Sequence, residues 1–143
     1  MRIIVTSLKE YDVYRHEIIK MLNETKFETF TKDFSSDNAS ELGFFSAKLI
    51  EGDDELIVID DYGVGAFNAI NKSSNIVCAN CYDEHSAQMT KSHNNARAIT
   101  IGAELIALTL AKSLVLHFVN SKYDAGRHQI RVDMLEAIFE GGK

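Results

Sequence analysis

Arg127 and Arg131 stand four apart in the stretch DAGRHQIRVDML, so on a helix both guanidinium groups project from one face. Gly126 precedes them, and the free N–H groups of a helix's first turn add positive partial charge there. Two forked cations beside a helix N-terminus suit a phosphate; they equally suit pairing with surface acids, which this chain holds in excess. Upstream, SHNNAR sets His93 beside Asn94. Histidine moves protons near neutral pH and an asparagine amide orients a hydroxyl, although asparagine also ends helices because it tolerates the left-handed conformation. His128 adjoins Arg127 and the same candidate anion site, whereas His85 and His117 sit in helical runs and read as structural. No His, Asp and Glu set has metal-ligand spacing.

A third candidate is LIVIDDYGVGAFNAINK, Leu56 to Lys72, where an apolar run ends in Asp60 and Asp61 and turns through Gly63 and Gly65 into a helix. Glycine turns after strands present backbone N–H groups to anions, yet two carboxylates repel one. The stretch lacks both the G-x-G-x-x-G dinucleotide spacing and the Gly-Lys-Ser/Thr ending of a nucleotide loop. A tight strand-to-helix turn that needs two small residues is the alternative. Cys78 and Cys81 form C-A-N-C inside a strand-like run, and residues three apart on a strand face opposite ways. They read as buried thiols rather than a redox or zinc pair.

These residues need a scaffold, and the chain alternates strand-like with helical runs. RIIVT (2–6), FETFT (27–31), ELIVI (55–59), NIVCANC (75–81) and RAITI (97–101) each precede a helical pattern, the last of them running from about Glu104 to Asn120. Five such units predict an α/β fold: a three-layer α/β/α arrangement around a five-stranded parallel, Rossmann-like sheet with right-handed crossovers. Ligands of such sheets bind outside the C-terminal ends of the strands. A final helix after Gly126 carries Ile130, Met134 and Ile138 four apart, a stripe expected to pack on a neighbouring subunit.

The 143 residues fit a single domain, 1–143. Fifteen Lys and Arg against 21 Asp and Glu give a net charge of −6, which argues against nucleic acid or an anionic membrane as partner. Leu105 to Val119, the longest strongly apolar stretch, is broken by Thr109, Lys112, Ser113 and His117 and cannot span a bilayer. The first residues lack a signal-peptide core, so a cytoplasmic protein is expected.

YGVGAFNAINK, CYDEHSAQMTKSHNNARAITIGAEL and KYDAGRHQIRVDML, in that order and spacing, resemble the family that contains type B ribose-5-phosphate isomerase and both subunits of galactose-6-phosphate isomerase. The resemblance runs from about Leu56 onward, more loosely over the first strand and helix, and is closest to A-type subunits. It implies an aldose–ketose isomerase of sugar phosphates, with neither metal nor organic cofactor, whose site lies between two subunits. On that resemblance His93 assists ring opening, Asn94 holds a sugar oxygen, Arg127 and Arg131 bind the phosphate, and Gly63 and Gly65 belong to the substrate-facing loop.

Complete members carry a proton-abstracting Cys followed by Gly-Thr-Gly, where this chain reads Asp60-Asp61-Tyr62-Gly63. Their early Asp-His corresponds to Leu8-Lys9, and their loop arginine has no counterpart in KDFSSDNAS. The resemblance therefore implies an A-type subunit in lactose and galactose breakdown, which interconverts galactose 6-phosphate and tagatose 6-phosphate with a B-type partner supplying the Cys. Two alternatives remain: a homomeric ribose-5-phosphate-type isomerase with Asp60 as base, and a non-catalytic sugar-phosphate binding subunit.

Overall fold

The computed structural model describes residues 1–141. In chain order the elements are β1 (Ile3–Ser7), a 3-10 turn (Lys9–Tyr11), α1 (Asp12–Glu24), β2 (Thr29–Phe30), α2 (Ala39–Ala47) and β3 (Glu55–Asp60). There follow α3 (Val64–Ser73), β4 (Cys78–Asn80), α4 (Glu84–Asn94), β5 (Ala98–Gly102), α5 (Leu108–Asn120) and α6 (Arg127–Gly141). All strands are parallel, in the order β2-β1-β3-β5-β4. The chain steps outward from β1 to β2, jumps back to β3, then passes β5's place to reach β4 before returning. With right-handed crossovers each reversal sends the next helix to the opposite face.

Burial matches that wiring. Ile3, Val5, Ile57, Ile59, Ile99 and Ile101 pack against Ile18 and Leu22 of α1, Ala87 of α4 and Leu114 and Phe118 of α5. Ile4, Leu56, Val58 and Ala98 face the other way, onto Leu42 of α2 and Ala66 and Ile70 of α3. Both faces being covered, β1 and β3 are buried along their whole length, which is why their sequences run apolar without alternation. Cys78 and Cys81 fall in the two different cores and are free and buried, and burial pushes the Cys81 thiol up to about 12. They are ordinary core thiols, as period-two geometry requires.

Several boundaries differ from the sequence reading, among them the strand read over 75–81, which shortens to β4 (Cys78–Asn80). The expected helix from Glu104 begins only at Leu108, because the N–H groups of Ala103 and Glu104 bond to the carbonyls of Asp60 (2.8 Å) and Asp61 (3.0 Å). Those bonds hold the segment as a loop clasping the end of β3. β2 shrinks to two edge residues, since the Thr31 hydroxyl bonds to the Val5 carbonyl at 2.7 Å in place of further ladder pairing. Asn38 caps α2 and Asp83 caps α4, each accepting an N–H three residues on, at 2.9 and 2.7 Å. Among the described residues no helix is long and apolar enough to cross a membrane.

α6 buries only His128 and Val132 and leaves Ile130, Met134 and Ile138 at 60–68% exposure. The stripe read from the sequence is thus uncovered within the chain.

The sheet end where the strands begin is fastened by Asp54. Its carboxylate accepts from the Arg2 backbone N–H (2.8 Å) and from Arg2 Nε and Nη2 (3.1 and 2.6 Å). Its carbonyl accepts from Arg97. The Arg2 hydrogen bond pulls the Asp54 carboxyl from 3.8 to about 2 despite burial. A depressed acid stabilises the fold above its unfolded pKa and loses that contribution as pH falls through the folded one. Arg2→Met is therefore expected to lower unfolding free energy by about 1 kcal/mol at neutral pH, because the Arg2 and Glu51 backbone N–H groups still hold the carboxylate. In urea titrations the difference from wild type should be complete above about pH 4 and vanish near pH 2.

Candidate active site

In a parallel sheet every helix runs against the strands, so α4 ends at the edge where strands begin. There Asn95 adopts a left-handed conformation (φ 53°) and its N–H bonds to the Lys91 carbonyl at 3.0 Å, terminating the helix. Asn95, not Asn94, does the helix-ending work. Asn94 remains exposed at the last helical position, with His93 half-buried beside it. Beneath them Lys91 pairs with Glu55 at 2.6 Å and sits 4.1 Å over the Phe118 ring, anchoring the last turn to β3 and α5. Burial pushes the Glu55 carboxyl up and the Lys91 ammonium down, each partly restored by the other. Nothing in the sequence spacing marks this pair, which forms across 36 positions.

The segment before α6 docks on that helix end. The Asp124 N–H donates to the Ser92 carbonyl at 2.9 Å, and positive φ at Ala125 (38°) and Gly126 (57°) turns the chain into α6. His128 thereby stacks on His93, ring centroids 4.3 Å apart and 13° from parallel, and Arg131 Nη2 donates to His128 Nδ1. Asn94 and Arg131 line one cleft of about 340 Å³ with Met134, Leu135 and Ile138. Of the residues singled out from sequence, His93, Asn94, His128 and Arg131 are brought together, and Arg127 stands one turn before Arg131, exposed. Ser92 Oγ and Tyr123 Oη, which no motif flagged, are shielded and lack hydrogen-bond partners among the described residues. The arrangement offers a forked cation for an anion and an imidazole for proton transfer.

The glycine turn lies at the other end of the sheet. Asp60 pairs with Gly102 where the strands finish, while Ala98, four residues after Asn94, pairs with Leu56 near their start. The five-residue β5 therefore separates turn from cluster by about 15 Å. Gly63 is left-handed (φ 83°), a conformation costly for any side chain, and a Cβ there would strike the Asn80 amide. At Gly65 a Cβ would come within 2.8 Å of Ala39 Cβ, so this glycine admits the close approach of α2 to α3. The Gly63 N–H donates to Asp60 Oδ1 and the Ala66 N–H to Oδ2 at 3.2 Å, with the Asp60 side chain fully buried. Burial raises the Asp60 carboxyl, opposed by these two N–H groups. Its carboxylate thus occupies, from within, the position that an external anion takes at such a turn. Asp61 is half-buried beside it and accepts from the Tyr62 N–H at 3.0 Å.

A sequence model of the Ribose/Galactose Isomerase family matches residues 3–135. The galactose-6-phosphate isomerase subunit LacA 2 of Streptococcus pyogenes serotype M1 is 41% identical over 140 residues, 94% of this chain and 97% of that one. Subunit LacA of Staphylococcus epidermidis is 56% identical over 86 residues, 59% of this chain and only 61% of that relative's length. In three dimensions, ribose-5-phosphate isomerase B of Clostridium thermocellum superposes with a TM-score of 0.89 over 100% of both chains at 26% identity. The type B ribose 5-phosphate isomerase of Leishmania infantum gives 0.90 at 26% identity, over 99% of this chain and 98% of that one. With one sequence model spanning β1 into α6 and the same architecture end to end, the chain belongs to the Ribose/Galactose Isomerase family.

Proposed function

We propose that this chain is an A-type subunit of an aldose–ketose isomerase that interconverts D-galactose 6-phosphate and D-tagatose 6-phosphate, with a B-type partner supplying the proton-abstracting Cys. The observation that carries the reading is the division of the molecule: His93, Asn94 and Arg131 gather at the start of the strands, while the glycine turn lies about 15 Å away at their end. One substrate cannot reach both within one chain, so a complete site pairs this cluster with another chain's turn. The uncovered stripe of Ile130, Met134 and Ile138, two of which wall the cleft, supports a second chain at that place.

In this reading Arg127 and Arg131 hold the phosphate remote from the reacting carbons, and that binding energy orients the sugar. His93 carries the proton between the anomeric hydroxyl and the ring oxygen as the ring opens, with Asn94 on a sugar hydroxyl. The partner's Cys then removes the C–H proton beside the carbonyl. The partner's turn N–H groups steady the enediolate oxygen, an effect of about 3–4 kcal/mol per donor in oxyanion sites. This chain's own turn is filled by Asp60, which fits a half-site without the chemistry. The names of the relatives, galactose-6-phosphate isomerase subunits, agree with the substrate.

The test is reconstitution. This chain alone is expected to turn over neither sugar phosphate, and mixing it with a family member that keeps an intact Cys-Gly-Thr-Gly loop should produce isomerisation. Full activity from this chain alone would overturn the requirement for a partner and favour a homomeric enzyme. Tight binding without turnover in any combination would leave a binding subunit.

A further inference from the structure

His128 is the residue through which the two halves of the cluster touch. One face of its ring lies against His93, and its Nδ1 accepts from Arg131. A guanidinium only donates, so Nδ1 keeps its lone pair and the neutral ring carries its proton on Nε2. The ring is 9% exposed and sits in the first turn of α6, which the Asp124–Ser92 bond ties to the end of α4. His128 and Arg131 are three apart, on one face of the helix.

We propose that His128 is a positioning residue that aims Arg131 at the substrate phosphate through Nδ1 and seats the His93 ring against its own, so that phosphate capture and ring opening share one rigid support. The proposal rests on the reading of Arg131 as phosphate ligand and His93 as proton carrier. With Nη2 fixed on His128, Arg131 keeps its other N–H donors for the anion, and less side-chain freedom remains to be lost when the phosphate arrives. The neutral state is favoured by what surrounds the ring. Burial comes first, then His93 on α4 and Arg131 and Arg127 on α6, all lowering the pKa of His128; Asp124 in the preceding loop opposes them. A protonated His128 would lose the Arg131 bond and place a charge against His93.

Two substitutions separate the two contacts. His128→Phe keeps a flat ring against His93 and removes the acceptor. It is expected to weaken inorganic phosphate binding and raise KM by about tenfold, the larger share of its effect falling on KM. His128→Asn keeps an acceptor and removes the ring, and is expected to lower kcat by about tenfold, the larger share falling on kcat. Both are measured in whichever assembly is active, with phosphate affinity by calorimetry. Equal effects of the two on KM and kcat, or no effect of either, would overturn the coupling. Wild-type protein that binds no phosphate would instead sink the underlying reading of Arg131. A third measurement needs no variant: nitrogen-15 NMR of the folded wild type should find His128 protonated on Nε2 alone, and a proton on Nδ1 would overturn the proposal.

Discussion

Replacing His93 by Gln is expected to lower kcat by about 10²–10⁴-fold, the range typical of a lost general acid–base. Gln keeps a hydrogen-bonding end and similar size, so the fold should not suffer: the His93 ring is half-buried and its principal contact is the stack on His128. What disappears is the imidazole proposed to carry the ring-opening proton. His128 cannot substitute, because its Nδ1 is engaged by Arg131 and its ring is held beneath His93. On the proposed roles phosphate is held elsewhere, by the arginines, so KM and the affinity for inorganic phosphate should change much less than kcat. Steady-state kinetics of the reconstituted assembly, beside phosphate titration of the variant, measure both. A fall in kcat smaller than about tenfold would remove His93 from the reaction.

Asp60→Ala should act on stability rather than on turnover. The carboxylate accepts from the Gly63 and Ala66 N–H groups inside a site with no solvent access. Hydrogen bonds to charged groups contribute about 1.5–3 kcal/mol each, and truncation also leaves two buried donors unpaired. Part of that is offset because burying the carboxylate itself is unfavourable, as its raised pKa records. A net loss of about 2–4 kcal/mol follows, read as a lower urea midpoint at unchanged slope. Activity in the reconstituted enzyme should stay within a few-fold of wild type if, as proposed, the base is the partner's Cys. The opposite pattern, a folded variant with kcat down by about 10³-fold or more, would make Asp60 the base of a homomeric isomerase. For that role the carboxylate would have to leave both N–H groups and reach solvent, which its present geometry does not provide.

Much of the scaffold was legible because its causes are local. LIVI and AITI run apolar without alternation since both faces of the sheet are covered. The start of α5 was misplaced by four residues because backbone bonds to Asp60 and Asp61, more than 40 positions earlier, outweigh the helical pattern of the segment. The short β2 has the same kind of cause, a side chain taking over from the ladder. Tertiary bonds of this sort leave no trace in periodicity.

The site was legible as residue types and not as an arrangement. Spacing alone shows that Arg127 and Arg131 share a helix face and that His93 adjoins Asn94. Only the folded chain reveals that Asn95 ends α4, releasing Asn94, and that Lys91 and Glu55 anchor the turn below. The sequence by itself determined the layered α/β class, the charge balance and the chemical groups on offer, since these follow from composition and short-range pattern. Tertiary structure alone decided where those groups meet. A parallel sheet sends helix ends and strand ends to opposite edges, which put His93 and Arg131 at one edge and the glycine turn at the other. The same folding turned the Asp60 carboxylate inward, onto the N–H groups that its charge had seemed set to spoil.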